Sequence, residues 1–264
     1  MANFTAQDVK ALREATAAGM LDCKKALQQA DGDFDAAVDY LRAQGIAKAG
    51  KKADREAKEG LIKAISTGKT GAIVQLSCET DFVSKNETFQ AYVQELLEKV
   101  DATGSNDNIT ESFAASQDEE LKGKISTIGE NMKIPAAVRW ESAGTVSSYL
   151  HAGGRVGVLV DVEGDYDAET VKSLCLHIAA FSPQYLTPED VPADAIERER
   201  AVATEKAAGK PANIIEKIVE GNIRKWMEDI CLLKQGWIMD DKVAIEKKFP
   251  NLKINRFVRL QIGA

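Results

Sequence analysis

The pattern of apolar and polar residues changes its period several times along the chain, and each change predicts a different kind of element. Over the first 55 residues, apolar side chains recur at intervals of three and four, which is typical of amphipathic helices. Turn residues at Gly19, Asp31–Asp33 and Gly45 divide this stretch into three short helices. Residues 1–55 are therefore predicted to form a three-helix docking module, and an exposed basic linker continues to about residue 60.

After residue 60 the apolar pattern becomes that of β-strands. Leu61–Ile65 and Ala72–Cys78 are predicted to pair as a β-hairpin. Helical spacing returns from Phe89 to Val100, and a second helix continues toward Ile128. A strand then brings the chain to Trp140, so residues 61–140 are predicted to form a first α+β core subdomain.

The start of the helix that carries Phe89 has two competing signals. Ser84 with Glu87 three residues later fits a capping box, whereas Thr80 would cap the helix one turn earlier. Either choice places Asp81 and Phe82 at the corner between strand and helix. Judged by residue type alone, Asp81 is most simply a helix cap, and Phe82 a hydrophobic staple or core residue.

A second α+β core subdomain is predicted for residues 141–182 and 231–264. It is expected to contain strands 144–151, 156–162 and 254–262 and helices 171–181 and 241–249, whereas strand 136–140 closes the first subdomain. Two hairpins, each followed by a helix, suggest a duplicated β-β-α unit with antiparallel sheets. The fold class is α+β.

Between the two parts of that subdomain lies an inserted helical hairpin, residues 183–230. Pro183–Pro192 breaks the preceding pattern, and Gly209–Pro211 turns the chain between two helices. The returning helix has a coiled-coil-like seam of Ile215, Ile218, Val219, Asn222, Ile223, Trp226 and Ile230. Packing within the hairpin is favoured over a partner site, and self-association through the seam stays open.

Composition narrows the functional classes. With 34 Lys and Arg against 41 Asp and Glu, the net charge of −7 gives no broad basic surface for nucleic acid. No apolar stretch approaches the roughly 18 residues of a membrane span. The start lacks the charged and apolar regions of a secretory signal, so a cytoplasmic location is expected.

The sequence contains few residues in patterns typical of metal binding or catalysis. The four cysteines form no C-x-x-C pair, and only two histidines, His151 and His177, are present, so no metal or cofactor site is predicted. His177 is expected in the core and His151 at an exposed turn. Thr67–Thr70 resembles part of a phosphate-binding loop, but the first glycine of that motif is replaced by Lys63 and the context is a hairpin. No catalytic residue is predicted, so the residues alone indicate an interaction protein that is not an enzyme.

Two motifs add a family resemblance. The stretch from Leu12 to Leu27, LREATAAGMLDCKKAL, resembles the N-terminal signature of bacterial elongation factor Ts. The stretch from Gln75 to Lys85, QLSCETDFVSK, resembles the second signature of that family, which is built on Thr-Asp-Phe-Val. The two motifs occur in the family's order and at its separation, and the likeness extends along the whole chain.

The resemblance implies a guanine-nucleotide exchange factor whose partner is the GTPase elongation factor Tu. It implies that Phe82 enters the partner as a wedge that disturbs the Mg²⁺ and phosphate site, with Asp81 beside it and Thr80 and Val83 holding the corner. His151 matches the family's second insertion. The residues that match the docking face of the helical module are Arg13, Met20 and Leu21.

The resemblance also implies that the chain binds no nucleotide of its own and leaves RNA to its partner. The alternative is a non-catalytic adaptor that binds another protein through the three-helix module.

Overall fold

The computed structural model describes residues 3–16 and 18–264, so Ala17 of the first motif lies outside the described residues. Within this part of the chain the structure contains ten α-helices. They are α1 (Ala6–Thr16), α2 (Met20–Gln29), α3 (Phe34–Gly50), α4 (Asp81–Ser84), α5 (Glu87–Ala102), α6 (Thr110–Ile128), α7 (Ala168–Phe181), α8 (Ala193–Lys206), α9 (Ala212–Ile230) and α10 (Ile245–Lys248).

Eight strands complete the described structure. They are β1 (Glu59–Ser66), β2 (Gly68–Cys78), β3 (Asp107–Asn108), β4 (Met132–His151), β5 (Val156–Gly164), β6 (Gly236–Trp237), β7 (Asp240–Ala244) and β8 (Leu252–Gln261). The main sheet has the order β1-β2-β4-β5-β8 with β3 beside β4, and β6 pairs with β7 in a separate small sheet. Helices combined with antiparallel pairs confirm the predicted α+β class.

The chain divides into two compact units. The first contains the residues up to Lys63, Ile73–Arg139 and Gln261–Ala264, and the second contains Ala64–Ala72 and Trp140–Leu260. Strands β2 and β4 each contribute residues to both units.

In the first unit, α1, α2 and α3 enclose a small core of Val9, Leu12, Cys23, Ala26, Leu27 and Ala37. Side-chain caps start α1 and α3, whereas Gly19 before α2 provides no capping side chain. Thr5 and Asp8 form a reciprocal cap on α1, because the Asp8 carboxylate accepts from the Thr5 backbone N–H at 2.6 Å and the Thr5 hydroxyl accepts from the Asp8 N–H at 3.4 Å. The Asp33 carboxylate caps α3 by accepting from the Ala36 N–H at 2.9 Å.

Helix α3 does not end at Gly45 as predicted but continues to Gly50. Gly45 lies where α3 packs on α6, and a Cβ added there would come within 3.3 Å of the Ser126 side chain. This glycine therefore allows two helices to approach closely and does not cap a helix. Residues 46–50, which were expected to lie beyond the end of the third helix, are therefore helical.

The rest of the first unit is built on the buried strand β2 and on α5. The apolar face of α5 is buried at Phe89, Tyr92, Val93, Leu96, Leu97 and Val100, at the predicted spacing. Of the two predicted caps, the capping box of Ser84 and Glu87 is wrong, and Thr80 caps the preceding short helix α4. Asn86 caps α5 instead, since its side-chain oxygen accepts from the backbone N–H of Thr88 at 2.8 Å.

In the second unit, the antiparallel pair β4–β5 packs with α7 around a core that includes Val158, Val160, Val162, Leu174, Ile178 and Trp237. The predicted break between strands 136–140 and 144–151 is absent, because β4 continues through it. The predicted helix 241–249 is also wrong over its first half. Residues Asp240–Ala244 form β7, which pairs with β6, and only Ile245–Lys248 is helical.

Helices α8 and α9 form the predicted antiparallel hairpin. Ala203, Val219 and Ile223 are buried between them, with Ile215 and Met227 packed against this cluster. Val191, Ile230 and Cys231 form another buried cluster. Packing within the hairpin therefore accounts for much of the seam read from the sequence.

Candidate partner-binding surface

The corner between β2 and α5 holds the four contiguous residues Thr80, Asp81, Phe82 and Val83. Thr80 has extended backbone and caps the short helix α4, and its hydroxyl accepts from the Val83 N–H at 3.4 Å. The Ser84 hydroxyl donates to the Asp81 carbonyl at 2.9 Å. These contacts start and close a single helical turn whose first two residues are Asp81 and Phe82.

Phe82 projects from this turn with 82% of its surface exposed. The prediction from residue type alone, a staple or core residue, is therefore wrong. Single exposed apolar residues are common on protein surfaces, so exposure by itself does not define a site. A capped and hydrogen-bonded turn holds the backbone of Phe82, so the direction in which its Cα–Cβ bond leaves the turn is defined.

Asp81 is paired with Lys85 across one helical turn. The Lys85 ammonium donates to the Asp81 carboxylate at 2.6 Å, and this hydrogen bond lowers the pKa of Asp81 below its ordinary value. Asp81 is the first residue of α4, and the residue that caps this helix is Thr80. The prediction of Asp81 as the cap is therefore wrong. Because the pair is exposed to solvent, it sets the position and charge of the carboxylate more than it stabilises the fold.

Glu130 is hydrogen-bonded to the same corner, although no motif or spacing in the sequence points to it. One carboxylate oxygen accepts from the backbone N–H groups of Glu79 and Thr80, both at 3.0 Å. The other oxygen accepts from the Thr80 hydroxyl at 2.6 Å. Only the tertiary fold brings together residues about fifty positions apart, so pattern analysis had no means of finding this contact.

The predicted residues of the helical module lie on α1 and α2, in the same unit as the corner. Arg13 is in the last turn of α1 and is exposed. Met20 and Leu21 begin α2, with 45% and 83% of their surfaces exposed. The start of α2 thus presents two apolar side chains to solvent, next to the buried core formed by Cys23, Ala26 and Leu27.

His151 lies in the other unit, at the end of β4, and is exposed as predicted. Its Nδ1 is 3.2 Å from the Tyr149 hydroxyl. The turn that follows has three consecutive residues with positive φ, at 50° for Ala152, 66° for Gly153 and 90° for Gly154. Since glycine adopts such values without steric cost, the two glycines permit the tight turn that places His151 at a tip.

Two other sets of candidate groups are the turn that resembles a phosphate-binding loop and the four cysteines. The Lys69 ammonium donates to the carbonyl oxygens of Ala143 and Gly144, and the Thr67–Thr70 turn joins two strands and precedes no helix. All four cysteines are buried and unbridged. Burial, followed by the charge of Glu130, raises the pKa of the Cys78 thiol to about 12, which disfavours a reactive thiolate.

Residues 3–16 and 18–264 contain no group of three or more His, Cys, Asp or Glu side chains arranged to hold a metal ion. Helices in the same part of the chain are all too short or too polar to span a bilayer.

Comparison with known proteins identifies the family. The model of the family described as Elongation factor TS matches residues 79–264. The chain is also 45% identical, over 277 aligned positions, to elongation factor Ts of Hydrogenobaculum sp. (strain Y04AAS1), and the alignment covers 98% of each protein. This chain belongs to the family of translation elongation factor Ts.

Proposed function

We propose that this protein is a guanine-nucleotide exchange factor that binds elongation factor Tu in its GDP form and promotes GDP release. The single observation that carries the proposal is Phe82, an aromatic side chain that is 82% exposed on a turn whose backbone is hydrogen-bonded to the Thr80 and Ser84 hydroxyls. An apolar side chain that projects from a restrained turn is suited to enter a crevice of another protein, where its burial would favour binding.

The proposed action of the corner is mechanical and electrostatic. A GTPase holds GDP through a phosphate loop and Mg²⁺, and their positions depend on the surrounding helices. Phe82 would separate two of these helices, Asp81 would form hydrogen bonds with the displaced segment, and Thr80 and Val83 would keep the turn in place. His151 would act as a second insertion near the phosphate loop.

The helical module would supply docking. Leu21 and Met20 expose apolar surface at the start of α2, and Arg13 adds a cation on α1. Docking through a separate surface lets the factor bind while Phe82 acts on the nucleotide site. Affinity and exchange rate would then depend on different residues.

Linkage sets a condition on this cycle. The factor can promote GDP release at equilibrium only if it binds nucleotide-free elongation factor Tu more tightly than the GDP form. By reciprocity, a nucleotide that rebinds weakens the hold of the factor by the same ratio. The chain needs no covalent step, cofactor or direct contact with nucleic acid for this role, and the role places it in the cytoplasm.

Stopped-flow release of fluorescent GDP from purified elongation factor Tu tests the proposal. Release should accelerate with the concentration of this protein and reach a plateau. The complex formed without nucleotide should dissociate when GDP is added. Binding to elongation factor Tu with an unchanged release rate would contradict exchange activity and favour the adaptor.

A further inference from the structure

The carboxylate of Glu130 satisfies the backbone at the point where the chain leaves β2. In an isolated turn, the N–H groups at the start of a helix have no partner. Here the N–H groups of Glu79 and Thr80 both donate to one Glu130 oxygen at 3.0 Å. The other oxygen accepts from the Thr80 hydroxyl at 2.6 Å, and that hydroxyl in turn accepts from the Val83 N–H at 3.4 Å. Glu130 thereby fixes the residue that caps α4.

The backbone around Glu130 is itself restrained. Helix α6 ends at Ile128 and is capped by Gly129. This glycine has a left-handed φ of 94° and donates its N–H to the Ile125 carbonyl at 3.0 Å. Glu130 follows this cap directly. Asn131, the next residue, is 2% exposed. The carboxylate is therefore carried on a half-buried residue between a capped helix end and the buried Asn131.

A second hydrogen bond links the same two segments, and here the acceptor is the Glu79 side chain. The Asn131 backbone N–H donates to the Glu79 carboxylate at 2.6 Å. The Asn131 side-chain amide donates to the carbonyl oxygens of Ala53 and Arg55, at 3.3 and 2.7 Å. Arg55 also lies 3.4 Å from the same Glu79 carboxylate. The clamp of Glu79, Glu130 and Asn131 thus joins the corner to the segment that follows the helical module.

Phe82 has little packing of its own to set its direction. With 82% of the residue exposed, its orientation follows from the backbone of α4 and hence from Thr80. We infer that Glu130 is a positioning residue for exchange, which holds the Thr80 cap so that Phe82 points in the direction needed to enter the partner. This inference rests on the proposed function.

Two pairs of variants separate loss of the contact from loss of the charge. Glu130→Ala removes all three hydrogen bonds. Glu130→Gln keeps an oxygen for the two N–H groups, and its amide can donate to the Thr80 hydroxyl, which has free acceptor capacity. In the same way, Thr80→Val removes the hydroxyl, whereas Thr80→Ser keeps it.

Glu120→Ala is the matched control. Glu120 lies on α6 in the same unit and accepts from Lys99, but it does not belong to the clamp. Thermal unfolding of every variant measures the structural cost. Exchange protection of the Glu79 and Thr80 amides, measured by NMR, reports directly whether the clamp is broken.

The diagnostic measurement is GDP release as a function of factor concentration, separated into a maximal rate and a half-saturating concentration. Glu130→Ala should lower the maximal rate about tenfold with little change in the half-saturating concentration, since misplacing a rigid group penalises the productive geometry more than docking. Glu130→Gln and Thr80→Ser should recover most of that rate. The effects of Glu130→Ala and Thr80→Val should not add in the double variant.

The outcomes distinguish this inference from the proposed function when Phe82→Ala is measured alongside. If Phe82→Ala abolishes release and Glu130→Ala has the maximal rate of Glu120→Ala, the positioning role is overturned and the exchange function stands. If Phe82→Ala releases GDP normally, the wedge assignment fails, and the positioning role that depends on it fails with it. A lower maximal rate of GDP release with Glu130→Ala that Glu130→Gln does not restore would also contradict the inference.

Discussion

Phe82 and Phe89 are seven residues apart and lie in opposite environments. Phe89 is fully buried on α5, whereas Phe82 is 82% exposed on α4. Both are large apolar residues in the segment that follows β2. The helical periodicity correctly predicted that Phe89 is buried. The exposure of Phe82 departs from the favoured pattern of burial, and such departures are expected at functional positions.

The surroundings of the buried His177 favour its neutral form. The Gln235 side-chain amide donates to the Asp229 and Phe181 carbonyls at 2.7 and 3.4 Å, so its oxygen accepts from His177 Nε2–H at 2.9 Å. The ring stacks on Phe181 and Trp237, and Nδ1 has no hydrogen-bond partner among the described residues. Burial lowers the pKa of His177 below its ordinary value of 6.5, since the charged ring would lose its hydration.

A pH dependence of stability follows. As the pH falls through 6.5, the unfolded chain binds a proton at His177 that the folded chain does not, so the free energy of unfolding should decrease. Urea unfolding of His177→Gln should lack this part of the decrease between about pH 7.5 and about pH 5.5, where carboxylates contribute little. His151→Gln, which changes the exposed histidine, should keep it. Equal pH slopes in both variants would contradict the assignment.

At the scale of elements, β4 continues through a segment that has the composition of a turn. The prediction placed a break near Glu141–Gly144, but Thr145 pairs with Val162 and the strand does not end. A Cβ added to Gly144 would lie 2.0 Å from the Val162 carbonyl oxygen. Gly144 thus marks a close approach of two backbones within a sheet, which the sequence pattern alone does not distinguish from a turn.

Substitution of this glycine should therefore be costly. Gly144→Ala should lower the free energy of unfolding by about 1–3 kcal/mol, because the backbone must shift to admit the methyl group. Gly221→Ala, in the middle of α9 with no atom within 4 Å of the added Cβ, should raise it by about 0.5–1 kcal/mol. Urea unfolding measures both. Destabilisation of similar size at the two positions would contradict this account of β4.

The successes and errors of the sequence-based prediction have a common physical basis. Helices such as α2, α5 and α7 could be predicted because the apolar periodicity that marks them is a local property of the chain. The segment Asp240–Ala244 was mispredicted as helix because its strand conformation comes from pairing with Gly236 and Trp237.

The candidate site divides in the same way. Thr80–Val83 could be predicted as one contiguous motif, although the resemblance and not the chemistry of the residues supplied its meaning. Glu130 could not be predicted, because its contact with Thr80 spans fifty residues and exists only in the folded chain. Contiguous parts of the surface are therefore visible in the sequence, and the parts that position them are not.

For the molecule as a whole, charge is unevenly divided along the chain. Residues 1–60 contain ten acidic and ten basic residues, so the net charge of −7 belongs to the remainder. Residues 1–60, which include the first three helices, therefore carry no net charge, and they expose apolar side chains at Met20 and Leu21. This composition favours docking on a protein surface by apolar contact, in keeping with the proposed division between docking and exchange.

That division is testable at Leu21. Leu21→Ser should raise the half-saturating concentration for GDP release about tenfold, the effect of losing about 1.4 kcal/mol of binding, and leave the maximal rate unchanged. Stability should change little, because the side chain is 83% exposed. Gln28→Ser, an exposed change on the same helix, is the control and should alter neither parameter. A lower maximal rate for Leu21→Ser would contradict the separation of roles.

The central claim is that Phe82 displaces GDP from elongation factor Tu, and the most direct test is the maximal rate of GDP release with Phe82→Ala. Met239→Ala removes another exposed apolar side chain, 67% exposed, and serves as the control. Both variants should unfold at the wild-type temperature, because neither side chain is buried. The account predicts that Phe82→Ala loses most of the stimulated release and Met239→Ala retains it, whereas wild-type release by folded Phe82→Ala would contradict the account.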